Sequence, residues 1–222
     1  MGAFKKCILL AALFASLSVP ASAALTAEEN GSIDTSVIFD GTPDLKFTDV
    51  SEDDWFYQDV AYVYANRIMS GMSDTEFAPA AGVTRAMMLT ILYRTANEPE
   101  AAAAGFSDVD PSAWYAKAVS WGAANQIVSG TGNNQFSPDS PITREQMAVM
   151  LYNYGKTIGK MGQEADLSAF SDYDAISPWA KEALSWAVGS HMIAGRSDTV
   201  LAPGDGASRA EAAAIIKRFL TL

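Results

Sequence analysis

One pattern occurs three times along this chain, and it restricts the fold more than any other feature. Phe47-Thr48-Asp49-Val50 returns as Phe106-Ser107-Asp108-Val109 and again as Phe170-Ser171-Asp172-Tyr173. Behind each copy follow, in fixed order, a tryptophan (Trp55, Trp114, Trp179), a glycine (Gly71, Gly130, Gly195), a proline (Pro79, Pro138, Pro203) and an arginine (Arg85, Arg144, Arg209). The first and second copies are 59 residues apart at every mark; the second and third are 64 apart at the Phe-Ser-Asp and 65 from the tryptophan onward. Four residue types held in register define three copies of one supersecondary unit. The repeats span 47–105, 106–169 and 170–222, behind an acidic leader over 24–46.

Each repeat reads as helix, loop, helix. In the second, Asp110-Pro111-Ser112 is a helix start, and Trp114, Ala118, Trp121 and Ala124 recur at helical spacing. Ser177-Pro178 opens the third repeat's first helix by the same logic. The second helices are better marked. Thr143-Arg144-Glu145-Gln146 and Ser208-Arg209-Ala210-Glu211 fit the capping box, whereas Thr84-Arg85-Ala86-Met87 keeps the cap and loses the return partner. Apolar residues follow each cap: Met88, Ile91 and Leu92; Met147, Met150 and Leu151; Ala212, Ile215, Ile216 and Phe219. One repeat alone cannot bury such a face, so the three are expected to fold as one unit.

Lys5 and Lys6, an apolar run over Ile8–Val19 and Ala21-Ser22-Ala23 read as a secretory signal peptide over 1–23. The run is short for a membrane span, and no other stretch approaches ~18 uninterrupted apolar residues. The only cysteine, Cys7, lies inside that signal, and the lysines before it argue against lipidation. The exported chain then has no thiol or disulfide and must rely on packing, for which about 175 residues suffice. The formal charge of −11 argues against nucleic-acid binding. His191 is the only histidine and reads as a helix-end residue. No residue set indicates a metal site or cofactor, and no spacing resembles a calcium loop, a phosphate loop or a serine nucleophile elbow.

The marks together resemble the S-layer homology family. The second repeat carries them most fully, in Phe106-Ser107-Asp108-Val109, Ile127-Val128-Ser129-Gly130, Phe136-Ser137-Pro138-Asp139 and Ile142-Thr143-Arg144-Glu145. The resemblance implies a mainly α fold, with three helix-loop-helix repeats in a pseudo-threefold arrangement around a central helical bundle. It also implies an exported, non-enzymatic protein of a bacterial cell wall or S-layer. Its partner would be a secondary cell-wall polysaccharide carrying ketal-pyruvylated N-acetylmannosamine, or peptidoglycan, held non-covalently in grooves between repeats. Carried over, the ligand residues are Arg85, Arg144 and Arg209 with the loop glycines Gly71, Gly130 and Gly195. The groove aromatics would be Trp121 and Trp186, with Tyr62 at the equivalent place. The alternative function is a protein–protein module of the envelope; a glycan hydrolase is the weakest reading.

The chemistry suits the residue types. A pyruvyl ketal presents a carboxylate, which the planar guanidinium fork can bind with two parallel hydrogen bonds. Arginine at a helix start runs against the macrodipole, so the helix N-terminus and guanidinium could attract an anion together. Structural readings stand beside these. The arginines could bridge to Asp49, Asp108 or Asp172 between repeats; the glycines could be helix C-caps; Trp55, Trp114 and Trp179 read as core anchors; the Phe-x-Asp aspartates read as loop ties. Departures from the family pattern, including Met87 and Gln146 in place of the motif glutamate, Leu201 in place of phenylalanine, and Arg196, predict unequal grooves.

Overall fold

The computed structural model describes residues 45–222. The proposed signal peptide and all but the last two residues of the leader lie outside the described residues. Six α-helices are seen among the described residues: α1 (Tyr57–Ala65), α2 (Arg85–Thr95), α3 (Ala116–Ala124), α4 (Arg144–Thr157), α5 (Lys181–Gly189) and α6 (Arg209–Leu220). Among the described residues strand pairing is confined to isolated bridges, so the mainly α class holds. No described helix is long and apolar enough to cross a membrane.

The second helix of each repeat starts where its cap predicts. Thr84 accepts the Met87 N–H without a return partner, and Thr143 with Gln146 and Ser208 with Glu211 complete capping boxes. The first helices begin later than expected. Asp110 accepts from the Ser112 N–H (2.8 Å) and hydroxyl (2.7 Å), which closes a turn upstream of α3 rather than capping it. Ser177-Pro178 opens a short 3-10 turn over Pro178–Ala180 that runs into α5. The tryptophans Trp55, Trp114 and Trp179 therefore sit in turns ahead of the helices, and they are 65%, 62% and 57% exposed. They are not the core anchors that helical spacing suggested.

Packing runs from one repeat to the next. Helix α2 packs on α3, α4 on α5 and α6 on α1, so each second helix leans on the first helix of the following repeat and the last closes on the first. Backbone bridges follow the same cyclic order: Thr84 with Pro141, Thr143 with Gly206, and Ser208 with Gly82. The core is continuous across the repeats. Trp121 stacks edge-on against Tyr154 at 5.6 Å, Tyr154 lies 5.7 Å from Phe219, and Phe219 lies 6.3 Å from Trp186. A single repeat removed from this ring would expose those faces, which is why the three act as one folding unit.

Within each repeat the Phe-x-Asp element ties the loop, as expected. Asp49 accepts the Phe77 and Ala78 N–H groups (2.8 and 2.7 Å), Asp108 those of Phe136 and Ser137 (2.8 and 2.7 Å), and Asp172 those of Leu201 and Ala202 (2.9 and 2.6 Å). The second residue of each pair, Ala78, Ser137 or Ala202, has a φ of +58°, +58° or +55°. That conformation costs a non-glycine residue free energy, and the carboxylate's two charge-assisted bonds offset it.

Desolvation alone would raise the pKa values of Asp108 and Asp172. Their backbone donors and the nearby arginine outweigh it and hold both below the ordinary value of 3.8. A depressed carboxyl pKa stabilises the fold above the unfolded value and loses that contribution as pH falls through the folded one. We therefore expect urea stability of the protein to decline as pH drops from about 3.8. Asp108→Asn and Asp172→Asn should each cost roughly 1.5–3 kcal/mol at neutral pH and flatten the acid limb. An unchanged acid limb in both variants would contradict this assignment.

Candidate functional site between the repeats

The site residues are built at the junctions where one repeat's second helix enters the next repeat. Arg85, Arg144 and Arg209 are the first residues of α2, α4 and α6, and all three are buried. Each guanidinium crosses to the following repeat and donates to two backbone carbonyls. From Arg85, Nε reaches Phe136 O at 2.9 Å and Nη2 reaches Ser129 O at 3.3 Å. From Arg144, the same atoms reach Leu201 O at 3.2 Å and Ala194 O at 2.5 Å. From Arg209, they return to the first repeat, to Phe77 O at 2.8 Å and Ser70 O at 2.6 Å. The structural reading of the arginines is thus correct in kind but not in partner: they seal to carbonyls, while Asp49, Asp108 and Asp172 act on them only through their charge.

The guanidinium groups of Arg85 and Arg209 also lie over Phe136 and Phe77, at 4.8 and 4.5 Å from the ring centroids. Leu201 stands at the third equivalent place, so Arg144 has no such face beneath it. Burial lowers all three arginine pKa values, and Arg196 adds to the effect at Arg144. Arginine nevertheless stays charged across the usable pH range.

The helix N-termini cannot serve as the anion site that sequence reasoning suggested. The Arg85 and Ala86 N–H groups donate to Ser140 O and Pro138 O, those of Arg144 and Glu145 to Asp205 O and Pro203 O, and those of Arg209 and Ala210 to Ala81 O and Pro79 O. The cap hydroxyl takes the third N–H of each helix. An incoming anion would find the first-turn donors already used.

The loop glycines have a role other than capping. The left-handed residues after the first helices are Arg67, Gln126 and His191, with φ between +57° and +59°, so His191 is a helix-end residue as read. Gly71, Gly130 and Gly195 come four residues later. A Cβ there would lie 2.6–3.0 Å from the ring of Phe47, Phe106 or Phe170 and 2.3–2.6 Å from a loop carbonyl. They are glycines because the Phe-x-Asp phenyl ring and the loop's own carbonyl press against them.

Two cavities lie at these junctions. The first, of about 620 Å³, is lined by Arg85, Gly130, Thr131, Gln146, Asn153 and Trp179, among others. The second, of about 150 Å³, has the equivalent lining in Arg144, Gly195, Arg196, Glu211, Arg218 and Trp55. Each thus joins an arginine from one repeat, a loop and second helix from the next, and an exposed tryptophan from the one after. Trp179 in the first is braced. The buried Glu145 accepts both the N–H and the hydroxyl of Ser177, each at 3.0 Å, and so fixes the turn that presents the indole. The corresponding residues in the other repeats are Ala86 and Ala210.

The aromatic assignment from sequence needs correction. Trp121 and Trp186 are 5% and 1% exposed and belong to the core cluster; they do not face a groove. Tyr62 is partly buried against that core, with Lys217 Nζ 6.0 Å from its ring. The groove aromatics are Trp179 and Trp55. Both stand two residues ahead of the first residue of α1 or α5, a boundary the sequence reading placed too early.

The fold and its junctions define a cyclic array of three helix-loop-helix repeats with arginine-sealed interfaces and surface grooves between repeats. The family model for the S-layer homology domain matches residues 46–87, 105–148 and 169–213, more than half of the chain, which therefore belongs to that family. Similar proteins include an exoglucanase XynX of Acetivibrio thermocellus, 36% identical over 199 residues, covering 88% of this chain and 17% of that protein. A surface-layer 125 kDa protein of Lysinibacillus sphaericus is 32% identical over 157 residues, covering 69% and 13%. A cellulosome-anchoring protein of Acetivibrio thermocellus is 28% identical over 149 residues, covering 65% and 33%. The chain spans a third or less of these relatives.

The seal makes a specific demand on stability. Arg209→Ala would strip two buried carbonyls of a charged donor at the junction between the chain's last and first repeats. It should cost on the order of 3 kcal/mol, measured by urea denaturation, and Arg209→Lys should not restore it because a lysine has no planar fork. A wild-type midpoint in Arg209→Ala would show that the contact is dispensable.

Proposed function

We propose that this protein anchors non-covalently at a bacterial cell surface by holding an anionic wall polysaccharide in the groove of Arg85, Gly130 and Trp179. The observation that carries the reading is the composition of that groove: a cation, polar amides and an exposed aromatic face in one cavity of about 620 Å³. Small-molecule sites run from roughly 300 to 1,000 Å³, so a sugar residue fits. Arg85 spends Nε and Nη2 on carbonyls, and among the described residues Nη1 has no protein partner. Nη1 and the second N–H of Nη2 are then the donors left for a carboxylate, such as a pyruvyl ketal on N-acetylmannosamine. Gln146, Asn153 and Thr131 supply neutral polar groups for hydroxyls, and the indole of Trp179 supplies an apolar face for the ring.

The anchoring role is further supported by the surface-layer and cellulosome-anchoring relatives. An exported location at the wall or S-layer follows from the same reading, with the segment over 1–23 as signal peptide. The cyclic order of contacts supports a pseudo-threefold arrangement of the repeats.

Co-sedimentation with purified wall sacculi, before and after acid stripping of the secondary polymer, tests this. The arginines make poor probes because they hold the fold. Trp179→Ala is the better variant, since more than half of that side chain is already in solvent. We expect the protein to pellet with intact sacculi and not with stripped ones. Trp179→Ala should weaken binding by about 30-fold, a loss of ~2 kcal/mol, at unchanged melting temperature. Binding that ignores stripping would overturn the reading in favour of a protein or peptidoglycan partner.

A further inference from the structure

The two grooves share one plan and differ in volume fourfold, and the difference has a local cause. In the second groove Arg196 takes the place that Thr131 holds in the first, and Glu211 the place of Gln146. The Arg196 guanidinium bonds both carboxylate oxygens of Glu211, donates to Gly206 O at 3.1 Å and lies 3.8 Å from Asp205. Glu211 is itself fixed, because its carboxylate accepts the Ser208 N–H at 2.8 Å in the capping box of α6. Both side chains line the cavity beside Arg144.

We propose that the Arg196–Glu211 pair is an internal lock that closes the second groove, so that the first groove takes the carboxylate-bearing saccharide and the second does so only when the pair is broken. The inference rests on the wall-glycan reading given above. Two arguments carry it. The remaining space of about 150 Å³ falls below the roughly 300 Å³ at which small-molecule sites begin. The charge is also arranged differently: where the first groove offers the neutral amide of Gln146, the second offers a carboxylate already paired with Arg196, although Arg144 and Arg218 keep its lining net cationic. Burial alone would raise the Glu211 pKa, but the Ser208 N–H and Arg196 outweigh it and hold it below the ordinary range, so the group is ionised at neutral pH. An incoming carboxylate must displace Glu211 from Arg196 while Glu211 stays tethered to its helix.

The second repeat supplies the substitutions that test this. Arg196→Thr copies Thr131. Glu211→Gln copies Gln146, which keeps its own capping box intact. The measurement is the indole N–H resonances of the protein during titration with ketal-pyruvylated N-acetylmannosamine, with Trp55 and Trp179 assigned by single Trp→Phe variants. In the wild-type protein the Trp179 resonance should shift and saturate, while Trp55 should respond at least tenfold more weakly. In the Arg196→Thr/Glu211→Gln double variant, Trp55 should move at concentrations within about threefold of those for Trp179, whose own curve should not change.

Equal responses of Trp55 and Trp179 in the wild-type protein would overturn the lock, with the glycan reading intact. So would a folded double variant in which Trp55 stays unmoved while Trp179 titrates. If neither indole responds to the pyruvylated sugar, the glycan reading itself falls, and this inference falls with it.

Discussion

The guanidinium that crosses each junction is the contact on which the rest of the structure depends. The helices of neighbouring repeats supply most of the packing, so what fixes one repeat's angle against the next decides whether a core exists at all. Three arginines do this, in the order first to second, second to third and third to first. The last of these spans more than half of the sequence, so the closing junction depends on a contact between distant parts of the chain. Each arginine starts a helix whose own first N–H groups donate to the same neighbouring loop. Side chain and backbone therefore dock as one unit, and the unfavourable placement of a cation at a helix start is offset by neutralising carbonyl dipoles in a buried interface.

This arrangement places the loop clamp and the arginine seal in series. The Phe-x-Asp carboxylate fixes two successive N–H groups of the loop, and the carbonyl of the first of those residues, Phe77, Phe136 or Leu201, is the one that the arginine Nε reaches. The carboxylate sets the peptide on one side and the guanidinium on the other. The loop glycine lets the phenyl ring of the same element close underneath. The groove edge is thus tied on both faces of one peptide.

The repeat count, the second helices and their caps were legible in the sequence, because register and capping chemistry are local. So was the role of Asp49, Asp108 and Asp172, whose spacing from the loop recurs in all three copies. The direction in which aromatic residues point was not legible. Trp114 and Trp121 lie seven residues apart and share a face if both are helical, and only the late start of α3 separates an exposed indole from a buried one. The glycines misled for a related reason. A glycine after a helix suggests a cap, but the left-handed turn had already been made at Arg67, Gln126 and His191. Nor could the sequence show that an arginine at a helix start faces a neighbouring repeat's carbonyls, since that partner is 44 to 139 residues away.

The structure also separates positions that can vary from positions that cannot. The arginine, the clamp aspartate and the loop glycine are the same residue in all three repeats, because a change at any of them would open a junction and with it the common core. The positions that line the grooves differ: Met72, Thr131 and Arg196 at one, Met87, Gln146 and Glu211 at another, Arg94, Asn153 and Arg218 at a third. The last set still shares one task. Each donates to the carbonyl of Ile68, Ile127 or Met192 in its own repeat, so the side chain can change while the tie persists. The residues that vary are thereby separate from those that hold the junction, while the arginine and the loop glycine belong to both the junction and the groove lining. A ring of three similar repeats can then keep one fold while its grooves diverge in size and charge, and the 620 and 150 Å³ cavities are that divergence in physical form.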